Sequence, residues 1–448
     1  MCVSTDPGRA RLRAIRGAIV ALAAVAVMAA MAAMAPPGSA ATWTTQITPG
    51  PSGPPEAALT AVSCASATFC MAVGGSDYGL DSAQTTLLGP IETSAERWGG
   101  SSWTVVPTPV AGTDPDLLAV SCPSTTFCVA VGQTGRTLVG DGFGDRHAHA
   151  LLEAWNGAGW SVQTTPAGSV PESGLTGVSC VSRSFCIAVG SPVSIVWDGT
   201  GWKQIRIPTA RYDTELLGIS CVATTACTAV GQYSVNKIGV EELQPLAERW
   251  DGRIWTIDRP PGEVDRYRGK PYPNDTWLTA VSCLSRSFCL ASGDAQRAQN
   301  GIYEGAYANR WDGRRWTRAT AGLPKHSPLD GIACLSRTNC FAAGQFDTGI
   351  FPAPSTQQPL VESWSGVRWT RVALPQVPTT PGATFNSTSP GGPNLSSVSC
   401  VPLAGCTAVG EQAQGSDSAN LAQSDMGAPG AASARQGRGS TRDQRSSR

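Results

Sequence analysis

The stretch from Leu175 to Gly190, LTGVSCVSRSFCIAVG, occurs in seven variants along the chain, and nothing else in the sequence limits its folding so strongly. Each copy carries two cysteines six positions apart: Cys64 and Cys70, Cys122 and Cys128, Cys180 and Cys186, Cys221 and Cys227, Cys283 and Cys289, Cys334 and Cys340, and Cys400 and Cys406. Self-similarity of this kind marks a supersecondary unit that buries its apolar face only against its neighbours, so the repeat dictates the architecture. The 336 residues from Cys64 to Cys400 make intervals of 56 on average, long enough for four short strands each.

Within a copy, runs such as LTAVSC and FCMAVG flank a turn rich in Ser and Thr, the signature of a β-hairpin. The cysteines stand on either side of that turn, where facing residues of an antiparallel pair come within disulfide reach. Pairing is therefore expected inside each copy, Cys64 with Cys70 and so on to Cys400 with Cys406. A second hairpin follows as W-x-G-x-x-W, with the pairs Trp98/Trp103, Trp155/Trp160, Trp197/Trp202, Trp250/Trp255, Trp311/Trp316 and Trp364/Trp369. Gly-Gly, Asn-Gly, Asp-Gly and Ser-Gly fill the turns, which predicts two-residue turns with the tryptophans as diagonal neighbours that pack the blade. Two hairpins per repeat and seven repeats predict an all-β, seven-bladed β-propeller with four antiparallel strands per blade and one C-x5-C disulfide in each.

The ends of the chain support a closed ring over an open solenoid. The seventh copy, Leu395 to Gly410, has no W-x-G-x-x-W after it, whereas WTTQITP from Trp43 to Pro49 stands alone ahead of the first copy and matches WTVVPTP from Trp103. The N-terminal strand is therefore expected to close the last blade, with Ala419 to Gln423 as its third strand. Closure removes exposed sheet edges.

Residues 1–41 read as a secretory signal peptide: Arg9, Arg11, Arg13 and Arg16 precede an Ala/Val/Met run from Ala18 to Ala35 and a small-residue site near Ala40. An uncleaved anchor is the alternative. Of the fifteen cysteines only Cys2 falls outside the C-x5-C pairs, and that spacing with three histidines in the chain does not suit structural zinc. Disulfides in an oxidising, extracellular compartment are expected instead. A formal charge of zero argues against nucleic acid as a partner. The propeller is expected over 42–423 and a disordered basic tail over 424–448. No membrane span after signal cleavage is expected, and the protein is taken as a monomer.

The V-S-C-x-S-x-x-x-C-x-A-V-G and W-[DN]-G-x-x-W patterns resemble a class of secreted repeat proteins from high-GC Gram-positive bacteria, distantly like BNR (Asp-box), kelch and WD-repeat propellers. The resemblance covers roughly Trp43 to Gln423 and implies the fold. It implies no single activity, because propellers host hydrolases, lyases, lectins and scaffolds.

In such a meander the turns inside hairpins lie on one face and are short here, while the connections on the other face vary widely, as in Gly75 to Glu96, Gln133 to Glu153 and Pro375 to Asn394. A rigid scaffold with diverse loops places function on the variable-loop face. Trp277 lies there, outside the hairpins, with Tyr267, Tyr272, Arg266 and Arg268 before it, a set suited to an acidic or neutral polysaccharide. Asp141, Asp145, His147 and His149 form a mixed oxygen and nitrogen set that could hold calcium or another divalent cation; otherwise no cofactor is expected. Sialidase chemistry is disfavoured: the Asp-box needs a residue between Asp and Gly, whereas Asp198-Gly199, Asp251-Gly252 and Asp312-Gly313 are adjacent, and the RIP triplet at Arg206 to Pro208 falls on the outer-strand position of the repeat. The expected function is a secreted, non-catalytic recognition or scaffold protein binding extracellular or cell-envelope glycans or a protein partner. A glycan-processing hydrolase or lyase and a structural envelope protein are the alternatives.

Overall fold

Each apolar run of the repeat becomes a strand. In the computed structural model the inner strands Glu56–Ser66, Asp116–Ser124, Leu175–Ser182, Tyr212–Ala223, Asp275–Ser285, Leu329–Ser336 and Asn394–Val401 open blades one to seven. The structure describes residues 42–46, 48–50, 56–77, 91–135, 137–139, 142–144, 148–166, 174–190, 194–208, 212–237, 240–267, 270–296, 303–325, 327–347, 357–377, 393–414 and 417–426. Blade three shows the plan: Leu175–Ser182 pairs antiparallel with Phe185–Gly190, that strand with Ser194–Trp197, and the last with Trp202–Ile205. Every blade is such a four-stranded sheet. Successive inner strands pack together around the ring, and the seventh meets the first.

Closure is as the lone N-terminal segment predicts. Thr44–Gln46 pairs with Asp417–Ser424, the third strand of blade seven. Trp43 is 3 % exposed, and its ring lies 6.2 Å from Phe341 of blade six. The third strand starts two residues before Ala419, at Asp417, which pairs with Gln414.

Seven disulfides form within the copies, one in each blade, as the spacing predicts. They join Cys64 to Cys70, Cys122 to Cys128, Cys180 to Cys186, Cys221 to Cys227, Cys283 to Cys289, Cys334 to Cys340 and Cys400 to Cys406, with Cα atoms 3.9–4.1 Å apart. The second cysteine of each pair lies deep in its blade: Cys70, Cys128, Cys186, Cys227, Cys289, Cys340 and Cys406 are all buried. The bonds imply an oxidising compartment, and each seven-residue ring contributes about 2.4 kcal/mol in the chain-entropy picture.

The serine of V-S-C locks one blade to the next. The amide of Cys122 donates to Ser63 Oγ, Cys180 to Ser121, Cys221 to Ser179, Cys283 to Ser220, Cys334 to Ser282 and Cys64 to Ser399, all at 2.9–3.0 Å. The last of these joins blade seven to blade one. The series skips the seam between blades six and seven, where Ala333 stands at the serine position. Ala333→Ser therefore restores the missing bond and is expected to stabilise the ring by about 1 kcal/mol; urea unfolding that shows no gain would contradict this role.

The glycine of A-V-G is equally physical. The inner strand bulges beside it, with register shifts such as Leu59/Ala61, and brings a carbonyl close. A Cβ on Gly132 would lie 1.9 Å from the Asp116 carbonyl oxygen, and Gly74 and Gly231 face the same distance from Ala58 and Glu215.

The second hairpin departs from expectation. Trp250 and Trp255 are direct cross-strand partners, as are the other five pairs, and not diagonal neighbours. The reason lies in the turn. Gly252 has φ 106° while Asp251 does not enter the positive region, so the central residues are Gly-x and not Asp-Gly. The Asp251 carboxylate accepts the amides of Arg253 and Ile254 at 2.8 and 2.9 Å, which also holds its pKa below the usual range. Ring centroids stand 5.3–5.9 Å apart at tilted angles. In blades one to five the first indole of the pair donates to a carbonyl in the cysteine turn, for example Trp98 to Ala67 and Trp155 to Thr125, whereas in blade six Trp364 has no partner and Trp369 donates to Ala319. These tryptophans hold the blade together.

Between blades, one third-strand position reaches the connection that leaves the preceding blade. Glu96 accepts the Gly50 amide at 3.1 Å, Asn309 donates to the Pro261 carbonyl at 3.3 Å, and Gln423 donates to Pro375 at 3.3 Å. Glu362 takes Arg371 of its own blade instead, at 3.4 Å. In blades two and four the same position holds Glu153 and Glu248, both 0 % exposed, with neither carboxyl oxygen partnered.

Candidate functional site at the channel mouth

The residues that build the ring are nearly the same in every blade until one end of the inner strands is reached. Leu59, Leu117, Leu175, Leu216, Leu278, Leu329 and Leu395 occupy equivalent positions and are all 0 % exposed. Each carries the blade's inner edge and cannot vary without opening a cavity. The residue before it is Ala58, Asp116, Gly174, Glu215, Trp277, Pro328 or Asn394: seven blades, seven side chains, all partly exposed. This is the end towards the variable connections, since each inner strand runs from here to its cysteine turn.

Two further rings complete the mouth. The residue after the A-V-G glycine is Gly75, Gln133, Ser191, Gln232, Asp294, Gln345 or Glu411, of which Ser191 lies outside the described residues. The residue after the buried leucine is Thr60, Leu118, Thr176, Leu217, Thr279, Asp330 or Ser396. The three rings hold five carboxylates, Asp116, Glu215, Asp294, Asp330 and Glu411, and among their described residues no lysine, arginine or histidine. At the opposite end the turns carry Arg183, Arg253, Arg286, Arg314, Arg315, Arg337 and Arg368. The described positions of these rings are thus acid-rich, while the turns at the opposite end carry these arginines together with Asp198, Asp251 and Asp312.

Hydrogen bonds fix several of these acids. Gln232 donates to Glu215 and Asn394 to Glu411, both at 2.8 Å, and the amide of Leu329 in blade six donates to Asp294 Oδ1 at 3.1 Å. Asp294 is 2 % exposed. Burial raises its pKa well above the usual range, the negative charge of Asp330 raises it further, and the Leu329 amide opposes both. Burial likewise pushes Asp330 up to about 6 and raises Glu411.

Of the residues singled out in the sequence, Trp277 belongs to the mouth. It sits in the inner strand of blade five, partly exposed, as the cross-strand partner of Asp294. Arg266, Tyr267 and Tyr272 belong to a small hairpin between blades four and five, Val264–Tyr267 against Lys270–Pro273, in which Arg266 pairs with Pro271, Tyr267 with Lys270 and Asp265 with Tyr272. Arg268 lies outside the described residues, as do Asp141, Asp145 and His147, while His149 is exposed at the start of His149–Trp155. Among the described residues no group of three or more His, Cys, Asp or Glu stands together as a metal site. The RIP triplet has a packing role: Ile207 is 5 % exposed and belongs to the apolar cluster that also holds Ile187 and Leu216. Sequence reading missed the acidic rings. Their signal was available once the repeats are aligned, since the residue before the buried leucine differs in every blade.

Fold and site together define a disulfide-stapled, seven-bladed β-propeller with an acidic channel mouth. No family model matches the chain, and no curated protein matches it. Similar solved structures include YCF48 bound to D1 peptide, with a TM-score of 0.46 and 11 % identity over 85 % of this chain and 96 % of that one. YCF48 from Cyanidioschyzon merolae gives 0.45 and 12 % over 85 % and 98 %, respectively. The GH74 xyloglucanase from Xanthomonas campestris gives 0.45 and 12 % over 83 % of this chain and 53 % of its own. These are likenesses of fold alone.

Proposed function

We propose that the chain is a secreted, non-catalytic recognition or scaffold protein that holds an extracellular or cell-envelope glycan, or a protein partner, at the variable-loop face around the channel mouth. The observation that carries this reading is the break in the repeat. Side chains that build the propeller recur from blade to blade, while the ring from Ala58 to Asn394 differs in every blade. Diversity confined to one rim of a rigid scaffold serves binding.

The chemistry of the rim narrows the partner. Carboxylates accept hydroxyl and ammonium donors, and Trp277 offers a flat apolar ring beside them. A hydroxyl-rich neutral glycan or a basic protein segment suits this mouth better than an acidic polysaccharide or nucleic acid, which it repels. The Asp294/Asp330 pair does not favour the hydrolase alternative. Paired-carboxylate glycoside cleavage needs both groups against the substrate, and Asp294 is 2 % exposed and engaged by the Leu329 amide. Residues 1–41 as a cleaved signal, residues 424–448 as a basic tail and a monomeric state complete the proposal.

The test incubates the mature, oxidised protein with a broad polysaccharide panel and measures retention together with product masses. Retention with unchanged masses supports recognition. New, smaller masses overturn it in favour of an enzyme.

A further inference from the structure

The seven repeats are internal controls for one another, and one connection departs from the rest. Six residues after the tryptophan of the outer strand stands a proline in six copies: Pro49, Pro109, Pro166, Pro208, Pro261 and Pro375. After Trp316 of blade five the residue is Gly322. It has φ 92°, a conformation closed to proline. The chain turns there, with the Leu323 amide donating to the Thr320 carbonyl at 3.0 Å, and it is held at Trp369, whose amide donates to Ala321 at 2.9 Å.

In three other seams the proline segment runs on and is seated against the third strand of the following blade, at Glu96, Asn309 and Gln423. The seat is fullest on blade five. The Pro261 carbonyl accepts hydrogen bonds from Tyr307 and Asn309, the Gly262 carbonyl accepts one from Arg318, and Arg318 pairs with Glu263 at 3.6 Å. Proline fixes the segment in an extended form, and an arginine reads both its carbonyl and the acid that follows.

On blade six the strand register puts Leu360, Glu362 and Arg371 at the positions of Tyr307, Asn309 and Arg318. The connection from blade five is held at Trp369 instead. Arg371 lies over the Phe346 ring at 4.2 Å and reaches Glu362 at 3.4 Å, with its side chain 44 % exposed. A cavity of about 400 Å³ opens here, and its lining includes Phe346, Leu360, Arg371, Val372, Leu374 and Pro375. That is the size of a small-ligand site, with apolar side chains around a single guanidinium.

We propose that this cavity docks an extended, proline-containing acidic segment of a partner protein, seated as Pro261 to Glu263 are seated on blade five. The proline arrives pre-extended and packs on Phe346 and Leu360, which keeps the ordering cost low. The carboxylate that follows it, in the place of Glu263, is complementary to the Arg371 guanidinium. The cavity shares no residue with the rings of the mouth, so the seat does not depend on which ligand the mouth takes.

The probe is a fluorescein-labelled peptide with the sequence of Asp258–Val264, DRPPGEV, titrated to millimolar concentration against the oxidised protein and followed by fluorescence polarisation. Saturable binding at one site is expected, and a peptide with alanine in place of both prolines should bind several-fold more weakly. Arg371→Val gives blade six the Glu beside Val that blade two already carries as Glu153 and Val162, and Phe346→Thr gives it the residue of Thr134, so both variants keep the fold. Arg371→Val is expected to weaken binding by at least about tenfold, and Phe346→Thr to weaken it as well, with Tm near that of the parent. Absence of saturable binding by the parent, equal binding of the alanine peptide, or unchanged binding in both variants overturns the proposal. Self-association that Arg371→Val abolishes overturns it in favour of a second copy of the chain.

Discussion

Replacing Glu153 and Glu248 together by glutamine will leave the propeller as stable as its parent in acid and more stable than its parent at pH 8. Both carboxyls are fully buried without partners, and burial alone pushes them up to about 7 and about 8. In the unfolded chain they ionise near 4.5. A carboxyl whose folded pKa is raised binds more protons in the native state, so stability falls as pH rises through the window between the two values. Below that window both states are protonated and nothing is lost. At about 1.4 kcal/mol per pKa unit the Glu153 contribution alone is on the order of 3 kcal/mol, and that of Glu248 is larger. Glu96, Glu362, Glu411 and Asp425 are also raised, chiefly by burial, and tilt the profile the same way. Denaturant unfolding from pH 4 to pH 8 measures the slope; a double variant that follows its parent throughout would show that these carboxyls are solvated in the folded state.

Gly132→Ala will be among the most damaging single changes outside the disulfides. Its new Cβ would meet the Asp116 carbonyl at 1.9 Å, backbone against backbone, so the first and second strands of blade two must part. We expect a loss of about 3 kcal/mol or more. Gly159 lies in the outer turn of the same blade and a Cβ there meets nothing within 4 Å. Gly159→Ala should change stability by no more than about 0.5 kcal/mol. Equal losses in both variants would mean that the close approach at Gly132 is not what the A-V-G glycine serves.

Much of the fold could be read from the chain because the repeat states each contact seven times. C-x5-C announced the disulfides, and WTTQITP without a partner hairpin announced the closing strand. The direct pairing of the tryptophans was not legible, since Asp-Gly favours a two-residue turn locally and only the aspartate cap on the Arg253 and Ile254 amides shifts its centre to Gly252. The serine ring was hidden for a different reason. Ser63 and Cys122 are remote in sequence and become neighbours only when blades pack. The mouth was half legible: Trp277 stood out as a tryptophan beyond the hairpins, whereas Asp294 and Asp330 carry no local motif and gain meaning only from their repeat positions at the ends of neighbouring strands.

The central claim is that function lies where the repeat breaks. Two sets of variants test it most directly: Asp116→Asn, Glu215→Gln and Trp277→Ala at the mouth, and Arg253→Ala, Arg314→Ala and Arg368→Ala on the exposed turns of the opposite end. Each is measured for retention on the glycan panel and on cell-envelope preparations, with thermal unfolding as a check of folding. Retention lost in the mouth set and kept in the turn set is the predicted result; retention lost in the turn set and kept at the mouth would contradict it.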